Sequence, residues 1–329
     1  MPVLPAKAIE RLCAIPNLTV LRDEPLAPYT RFAIGGPAAV FCDTDDADIF
    51  AEALRLTNVM TLPHVVIGGG TNLVVSDDGY EGIVLRFTGK RVMQNGTALR
   101  VEAGALLQDV VDRSITLGLA GMESMTGIPG YLGGAVYGNA GAYGRSIQEL
   151  VESVRFTNGE AIRTFNNEEC QFRYRESIFK DHKGWIVLSA DLRFTSGDPE
   201  ALAKTAAEIR AIRDAKYPPT MKCAGSIFKN VFFADLPVAV QTQVPAKLVR
   251  DGKVPSAWFL DEAGVKGMKR GDIHVATYHA NLIYNGGAGR ATDLVAVIDE
   301  AKRRVHERFG FDLQEEVQYV GFEYAETPA

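Results

Sequence analysis

Apolar residues recur three or four positions apart in four segments of the chain, which is the spacing of one helix face. Asp198 and Pro199 are typical of a helix start, so they mark the beginning of the third segment, and Pro218 follows its end. Gly310 is a typical residue after a helix end and closes the fourth segment. The predicted helices, with their inward residues, are 46–56 (Ile49, Phe50, Leu54), 106–117 (Leu107, Val110, Ser114, Leu117), 199–217 (Leu202, Ala206, Ile209, Ile212) and 292–309 (Leu294, Ile298, Ala301, Val305).

Shorter runs of β-branched and apolar residues predict strands between these helices. Two Asn-Gly pairs, at 95–96 and 158–159, are strong signals for hairpin turns. The chain thus mixes helices and strands, as in an α+β fold. The predicted strands include 65–67, 71–75, 82–87, 98–104 and 185–194.

Three consecutive glycines, 68–70, follow the predicted strand 65–67. In a dinucleotide-binding Rossmann unit such glycines open onto a helix, whose N-terminus holds the pyrophosphate. Here residues 71–75 predict another strand, so the Rossmann interpretation fails. Two interpretations remain: a tight hairpin between buried strands, or a nest of backbone N–H groups that binds an anion without a helix.

A second segment, 121–146, is very rich in glycine. No ordinary helix or strand tolerates so many glycines, so none is predicted here. A flexible linker is one interpretation, but linkers are usually rich in serine or charge. Because this segment carries Ile128, Leu132 and Tyr143, an ordered loop that lets backbone approach a ligand is the better interpretation.

Composition narrows the classes of protein that the chain can represent. With 329 residues and a formal net charge of −6, two or three domains are expected and a nucleic-acid or membrane-surface binder is not. No apolar stretch approaches the length of a membrane span, and the first residues lack the pattern of a secretion signal. The five histidines have no zinc-like spacing. We expect a cytoplasmic, metal-free monomer whose cysteines, Cys13, Cys42, Cys170 and Cys223, are reduced.

Five motifs follow one another along nearly the whole chain: "IGGGTNLVVSDDGYEGIVLRF", "GMESMTGIPGYLGGAVYGNAGAYG", "FRYRESIFK", "CAGSIFKN" and "LQEEVQYVGF". Together they resemble the UDP-N-acetylenolpyruvoylglucosamine reductase family, flavoenzymes of bacterial peptidoglycan precursor synthesis. The resemblance implies an FAD-binding fold of the vanillyl-alcohol-oxidase (PCMH) type in two subdomains, 1–80 and 81–215, with a C-terminal α+β substrate domain, 216–317. The tail 318–329 is a candidate addition to the first subdomain.

The resemblance implies that the two glycine segments hold FAD non-covalently, with the first giving backbone N–H groups to its pyrophosphate. NADPH would be the hydride donor, and UDP-N-acetylglucosamine enolpyruvate would be the substrate, reduced to UDP-N-acetylmuramate. The implied cofactor-binding residues are Gly68, Gly69, Gly70, Thr71, Asn72, Leu73, Ile128, Pro129, Gly130, Gly133, Gly134, Asn139, Gly141 and Arg213.

Three residues match the family's catalytic positions. Arg175 would pair with the substrate carboxylate and stabilise enolate-like charge, because a guanidinium binds carboxylates bidentately and keeps its charge. Ser226 would donate the proton, and Glu316 would lie beside the substrate carboxyl. Adjacent strand residues face opposite ways, so Glu315 is not expected in the same site. The implied substrate-binding residues are Tyr174, Lys216 and Asn230.

Some features leave alternatives open. Cys223, three residues before Ser226, permits a thiol mechanism, although a structural role is preferred. Val231 stands where the family usually has proline, the segment 231–255 is long, and no lid tyrosine is assigned. The alternatives in function are another FAD-dependent oxidoreductase of the same fold, or a non-catalytic regulator that binds flavin or a sugar nucleotide.

Overall fold

The computed structural model describes residues 4–322. Within this range the chain divides into two compact units, each assembled from separate stretches of sequence. The first unit contains the described residues up to Glu24 with Ala38–Gly70 and Tyr80–Ala215, and the second contains Pro25–Pro37, Thr71–Gly79 and the described residues from Lys216 onward.

Helices and strands are interspersed along the described chain. The helices are α1 (Ala6–Cys13), α2 (Ala47–Val59), α3 (Leu107–Thr116), α4 (Leu132–Tyr137), α5 (Ile178–Asp181), α6 (Pro199–Lys216), α7 (Val238–Gln241), α8 (Ser256–Glu262) and α9 (Ala291–Phe309). The strands are β1 (Thr19–Pro25), β2 (Pro37–Thr44), β3 (His64–Ile67), β4 (Leu73–Val75), β5 (Tyr80–Phe87), β6 (Val92–Asn95), β7 (Ala98–Glu102), β8 (Leu119–Ala120), β9 (Gly141–Ala142), β10 (Arg145–Ser146), β11 (Val151–Thr157), β12 (Ile162–Asn166), β13 (Ile186–Arg193), β14 (Thr195–Ser196), β15 (Val231–Phe232), β16 (Lys253–Val254), β17 (Lys269–Arg270), β18 (Ile273–Val275), β19 (Ile283–Asn285) and β20 (Gln318–Val320).

Two larger sheets build the first unit. Strand β5 pairs in parallel with β2 and β3, in a sheet of order β1-β2-β5-β3. Strands β12-β11-β13-β7-β6 form an antiparallel sheet. Buried residues from both sheets, such as Leu85 and Val101, belong to one hydrophobic core. The predicted boundary at 80/81 between two subdomains stays a prediction.

Local sequence signals were reliable guides to several elements of this unit. Asp46 caps α2, because its carboxylate accepts hydrogen bonds from the N–H groups of Asp48 and Ile49. The helix predicted over 106–117 is α3, whose Leu107, Val110 and Ser114 are buried. Both predicted Asn-Gly hairpins are confirmed, since β6 pairs with β7 and β11 pairs with β12, each antiparallel.

The prediction that 121–146 contains no helix was wrong, because α4 lies inside it. Leu132 and Val136 are buried, so tertiary packing outweighs the low helix propensity of the neighbouring glycines. The N–H of Gly133 donates to the Ala103 carbonyl at 2.8 Å, and a Cβ on Gly133 would lie only 2.9 Å from Ala103 Cβ. Glycine is therefore required here for close packing of the helix on the sheet.

The predicted inward stripe of α6 was only partly correct. Ala206 is buried, but Ile212 is 59% exposed. Ile209 is partly covered, as predicted, and so are Arg210, Arg213 and Asp214 near the end of the helix. The covered face therefore ends in charged residues, which the apolar pattern does not detect.

A separate hydrophobic core lies in the second unit, where α9 supplies one long face. The predicted residues Leu294, Ile298, Ala301 and Val305 are all buried. Gly310 ends the helix as predicted, with a left-handed φ of 73°. Helix α9 packs on the β17-β18-β19 sheet and on α8.

The glycine loop 68–70 lies between β3 and β4, which belong to different sheets. Strand β3 pairs with β5, and β4 pairs in parallel with β20. The hairpin interpretation of this loop is therefore wrong, whereas strand–loop–strand is confirmed. The pairing places β20 in the second unit; the part of the predicted tail at 323–329 lies outside the described residues.

Candidate functional site

The two glycine segments predicted to hold a cofactor contact each other within the first unit. A Cβ atom on Gly69 would lie 3.3 Å from Gly130 Cα and 3.4 Å from the Tyr131 ring. Gly70, with φ 59°, and Gly130, with φ 108°, have backbone conformations that favour glycine. Glycine at these positions lets the two stretches of backbone approach closely, as a cofactor cradle requires.

Two buried hydroxyl groups lie in the second glycine segment, shortly before Gly130. Ser124 Oγ and Thr126 Oγ1 have no hydrogen-bond partner among residues 4–322. Buried polar atoms normally have one, so these hydroxyls are suited to a polar ligand. Neither was identified from the sequence, because a single Ser or Thr in a glycine-rich segment carries no distinctive signal.

Arg213 on α6 lies against the same segment. A Cβ on Gly127 would lie 3.1 Å from both Cδ and Nε of Arg213. The N–H of Gly127 donates to Gln108 Oε1 at 2.7 Å, which holds this residue in its left-handed conformation, φ 78°. The structure thus brings Arg213 beside the second glycine segment, and its predicted cofactor contact stays a prediction.

Arg175 occupies a tightly held turn. The backbone N–H groups of Arg173 and Glu176 donate to each other's carbonyls at 3.0 and 3.1 Å. Between them Arg175 has φ 60°, a conformation that costs about 1 kcal/mol or more for a non-glycine residue. Its carbonyl accepts from Lys180 Nζ at 3.0 Å, and its Nη2 donates to the Gly141 carbonyl at 2.9 Å. The turn therefore fixes the guanidinium.

Asn139 connects this turn to the glycine segment. It is 3% exposed, and its Nδ2 donates to the Arg173 carbonyl at 2.8 Å and to Gln148 Oε1 at 2.9 Å. Gly141 pairs with Ser146 in the β9–β10 ladder, where a Cβ would collide with backbone. The structure therefore gives Asn139 and Gly141 architectural contacts, and their predicted cofactor contacts stay predictions.

The remaining predicted cofactor residues of the first unit vary in exposure. Ile128 is partly buried against the core, while Gly134 has open space where a Cβ would point. Pro129 and Gly68 complete the two facing segments.

In the second unit, Asn72 is tied to the segment that carries Glu316. Asn72 Nδ2 donates to the Glu316 carbonyl at 2.8 Å, and its own carbonyl accepts from the Gln318 N–H at 2.9 Å. Leu73 pairs with Gln318 in the β4–β20 ladder, and Thr71 directly precedes Asn72.

Ser226 and Glu316 lie on neighbouring extended segments of this unit. The Glu316 N–H donates to the Ile227 carbonyl at 2.7 Å. The Ser226 hydroxyl lies 3.1 Å from the hydroxyl of Tyr217. Both predicted catalytic side chains are half-buried, so they have access to solvent or to a ligand.

Asn281 fixes the segment that follows Ser226. It is 2% exposed, and its Oδ1 accepts from the N–H groups of Ile227 at 3.1 Å and Phe228 at 2.9 Å. Its Nδ2 donates to the Phe228 carbonyl at 2.9 Å and to Ser256 Oγ at 2.7 Å. This clamp was missed in the sequence, because its partners are 25 to 54 residues away.

We expect Asn281→Ala to destabilise the protein by about 2–5 kcal/mol, because buried donors and acceptors lose their partner. Urea unfolding measures the change. Asn58→Ala is the matched control, since Asn58 is exposed and its Nδ2 makes one hydrogen bond, to the Asn158 carbonyl. Equal loss in both variants would contradict the assignment of Asn281 as a clamp.

Glu315 and Glu316 have different surroundings, as expected for adjacent extended residues. Glu315 Oε1 accepts from Lys302 Nζ at 2.7 Å, and its other oxygen accepts from the Tyr319 hydroxyl. Phe228 forms an isolated antiparallel bridge with Glu315. Both carboxylate oxygens of Glu315 are thus hydrogen-bonded to side chains of the protein.

The predicted substrate-binding residues are distributed over both units. Lys216, at the end of α6, is exposed, and its Nζ lies 5.0 Å from the centroid of the Tyr217 ring. Asn230 is exposed, and its Oδ1 accepts from the Ser256 N–H at 3.4 Å. Tyr174 belongs to the Arg175 turn in the first unit, with the guanidinium carbon 5.4 Å from its ring centroid.

Cys223 is 1% exposed and packs with Ala276 and Leu282. Burial of this kind favours the structural role over a thiol mechanism. Trp258 packs on the core of the second unit, with its ring centroid 5.7 Å from that of Phe309.

Two further features of the described residues concern metal binding and membrane spans. Within residues 4–322, no cluster of His, Cys, Asp and Glu side chains is arranged to hold a metal ion. No helix in that range is both long enough and apolar enough to cross a membrane.

Comparison with known proteins gives two family matches that together cover most of the chain. Residues 37–164 match the model of an FAD-binding domain. Residues 217–320 match the model of the C-terminal domain of UDP-N-acetylenolpyruvoylglucosamine reductase.

Individual relatives agree with these matches. The chain is 53% identical over 311 residues to the UDP-N-acetylenolpyruvoylglucosamine reductase of Solibacter usitatus, covering 94% of this chain and 100% of that protein. It is 38% identical to the protein of the same name from Rubrobacter xylanophilus, covering 91% and 94% of the two chains. The crystal structure of the reductase from Thermus caldophilus is similar, with a TM-score of 0.71, 29% identity and coverage of 92% and 98%.

Proposed function

The chain belongs to the UDP-N-acetylenolpyruvoylglucosamine reductase family, and we propose that it reduces UDP-N-acetylglucosamine enolpyruvate with NADPH. The product is UDP-N-acetylmuramate, a precursor of peptidoglycan. The observation that carries the proposal is the 53% identity to a reductase along its whole length. The alternatives, another oxidoreductase of this fold or a non-catalytic regulator, receive no support from the relatives.

The residues of the two glycine segments fit FAD. The close approach of Gly69 to Gly130 supports a backbone cradle for its pyrophosphate, with N–H groups of residues 68–73 as donors. The buried hydroxyls of Ser124 and Thr126 offer hydrogen bonds that no described residue takes. When bound there, FAD would supply the hydride chemistry that links NADPH to the enolpyruvyl group.

Arg175 holds the substrate carboxylate. A planar guanidinium can donate two parallel hydrogen bonds to it and retains its charge throughout. As negative charge develops on the carbon beside the carboxylate, the same donors stabilise it. The turn that fixes Arg175 supports this role, since a preorganised donor needs no rearrangement during the reaction.

Arg175→Lys keeps a positive charge but removes the planar fork. We expect reoxidation of the flavin by the enolpyruvyl substrate to slow by about 10²–10³-fold, the usual effect of losing one preorganised donor. Reduction by NADPH should be unchanged, and stopped-flow absorbance separates the two steps. Arg173→Lys is the control, since Arg173 is exposed and pairs with Asp181. Normal turnover of Arg175→Lys would remove this residue from the site.

Ser226 and Glu316, both in the second unit, carry the remaining catalytic roles of this proposal. The Ser226 hydroxyl gives its proton to the carbon that carries the enolate-like charge, which completes the lactyl ether. Glu316 lies beside the substrate carboxyl in this proposal. Their neighbouring backbone segments, joined by the Glu316–Ile227 hydrogen bond, support a shared site.

The remaining assignments concern substrate and setting. Lys216 suits the diphosphate as an exposed cation, while Asn230 and Tyr174 bind other parts of the UDP-sugar.

We assign no lid tyrosine and no role to 231–255. We place the enzyme in the cytoplasm, where NADPH and nucleotide sugars occur, and we expect a monomer, which light scattering tests.

The function is tested by adding NADPH and then UDP-N-acetylglucosamine enolpyruvate to the purified protein. The flavin absorbance should disappear in the first step and return in the second. A flavin that NADPH never bleaches would favour the non-catalytic alternative. A flavin that bleaches but ignores the enolpyruvyl compound would favour another oxidoreductase.

A further inference from the structure

We propose that Tyr217 is a positioning residue for Ser226 and returns the proton that the serine gives away. This inference rests on the proposed function of Ser226 as proton donor. It starts from the hydrogen bond that joins the two hydroxyls at 3.1 Å, between side chains that are both half-buried.

Either hydroxyl can be the donor in this hydrogen bond. If the Tyr217 hydroxyl donates, the Ser226 O–H is left to point at the reacting carbon. As the serine proton moves, a C–H bond forms on that carbon and the serine oxygen becomes an alkoxide. A phenol is a far stronger acid than an aliphatic alcohol, so the Tyr217 proton moves to the alkoxide. Solvent then reprotonates the tyrosine, which balances the proton count.

The surroundings of Tyr217 suit a side chain that carries transient negative charge. Lys216 Nζ lies 5.0 Å from the ring centroid and provides a positive charge on one side. The His279 ring centroid lies 6.1 Å away, and burial, together with Lys216 and Lys266, lowers the pKa of His279 to about 4. His279 is thus neutral near pH 7. The Tyr217 ring therefore lies near one positive charge, that of Lys216, and one neutral imidazole.

Packing fixes the tyrosine ring independently of its hydroxyl. The ring packs against the buried cluster of Cys223, Ala276 and Leu282. Tyr217→Phe preserves these contacts and removes one oxygen atom, so the variant should fold and bind flavin. Tyr278→Phe is the matched control, because its hydroxyl also lies close by but donates to the Lys216 carbonyl at 3.0 Å.

We expect Tyr217→Phe to slow flavin reoxidation by the enolpyruvyl substrate about 10–100-fold, the usual effect of losing a hydrogen bond to a charged group. Reduction by NADPH and the affinity of the oxidised enzyme for the substrate should not change. Tyr278→Phe should behave as the wild type. Incorporation of 3-fluorotyrosine at position 217 keeps the hydroxyl and should restore most of the rate, which separates the hydroxyl from packing.

The decisive comparison repeats Tyr217→Phe in a Ser226→Ala background. If Tyr217 acts through the serine hydroxyl, no further slowing should occur, whereas a general packing defect would slow both backgrounds equally and overturn the inference. A slow Ser226→Ala with a normal Tyr217→Phe would overturn the inference and leave the role of Ser226 intact. A normal Ser226→Ala would overturn both.

Discussion

Ser226→Ala is expected to leave reduction of the flavin by NADPH at the wild-type rate and to slow its reoxidation by substrate about 10²–10⁴-fold. That factor is the usual contribution of a positioned general acid. The substitution removes the proton but retains Arg175, Glu316 and the two glycine segments. Stopped-flow absorbance of each half-reaction measures the effect.

The control for this variant is Ser196→Ala, which truncates an exposed serine of the first unit. It should affect neither half-reaction. Equal slowing of both half-reactions by Ser226→Ala would indicate damaged flavin binding. No slowing of the second would remove the proton-donor role from Ser226 and reopen the case for Cys223.

Gly69→Val is expected to purify without the yellow colour of bound flavin and to lose nearly all activity. A Cβ added at this position would lie within 3.4 Å of Gly130 and Tyr131, so the two further methyl groups of valine are expected to displace the facing segment. They also block close approach of a phosphate to the backbone. The ratio of flavin to protein absorbance measures the loss.

Gly184→Val controls for the substitution itself, because a Cβ on Gly184 meets nothing within 4 Å. That variant should retain its flavin. Heat-denatured wild-type protein should release FAD. Release of FMN, or flavin that stays attached to the denatured chain, would contradict the assignment of the glycine segments to a pyrophosphate.

The parts of the fold that the sequence predicts correctly are those that depend on nearby residues. Asp46 starts α2 and Gly310 ends α9 through hydrogen bonds and backbone angles set within one helical turn. The Asn-Gly turns act over two residues, so they too are visible locally. Helix α4 was missed because its stability comes from burying Leu132 and Val136 against distant strands.

The residues of the candidate site also divide into those that nearby sequence identifies and those that only the fold identifies. Family motifs identify Arg175 and Ser226, because the residues next to them are part of the signal. Asn281 and Tyr217 were missed, since what makes them important is a partner reached only through the fold. Thr126 was missed for a related reason: its buried hydroxyl becomes informative only when its surroundings are known.

The central claim is that one bound flavin carries electrons from NADPH to the enolpyruvyl group. A sequential-mixing experiment tests it most directly: anaerobic enzyme is bleached with one equivalent of NADPH and then mixed with UDP-N-acetylglucosamine enolpyruvate. The account predicts that flavin absorbance returns in step with one equivalent of UDP-N-acetylmuramate, two hydrogens heavier than the substrate. A flavin that stays reduced, or one that reoxidises without forming this product, would contradict it.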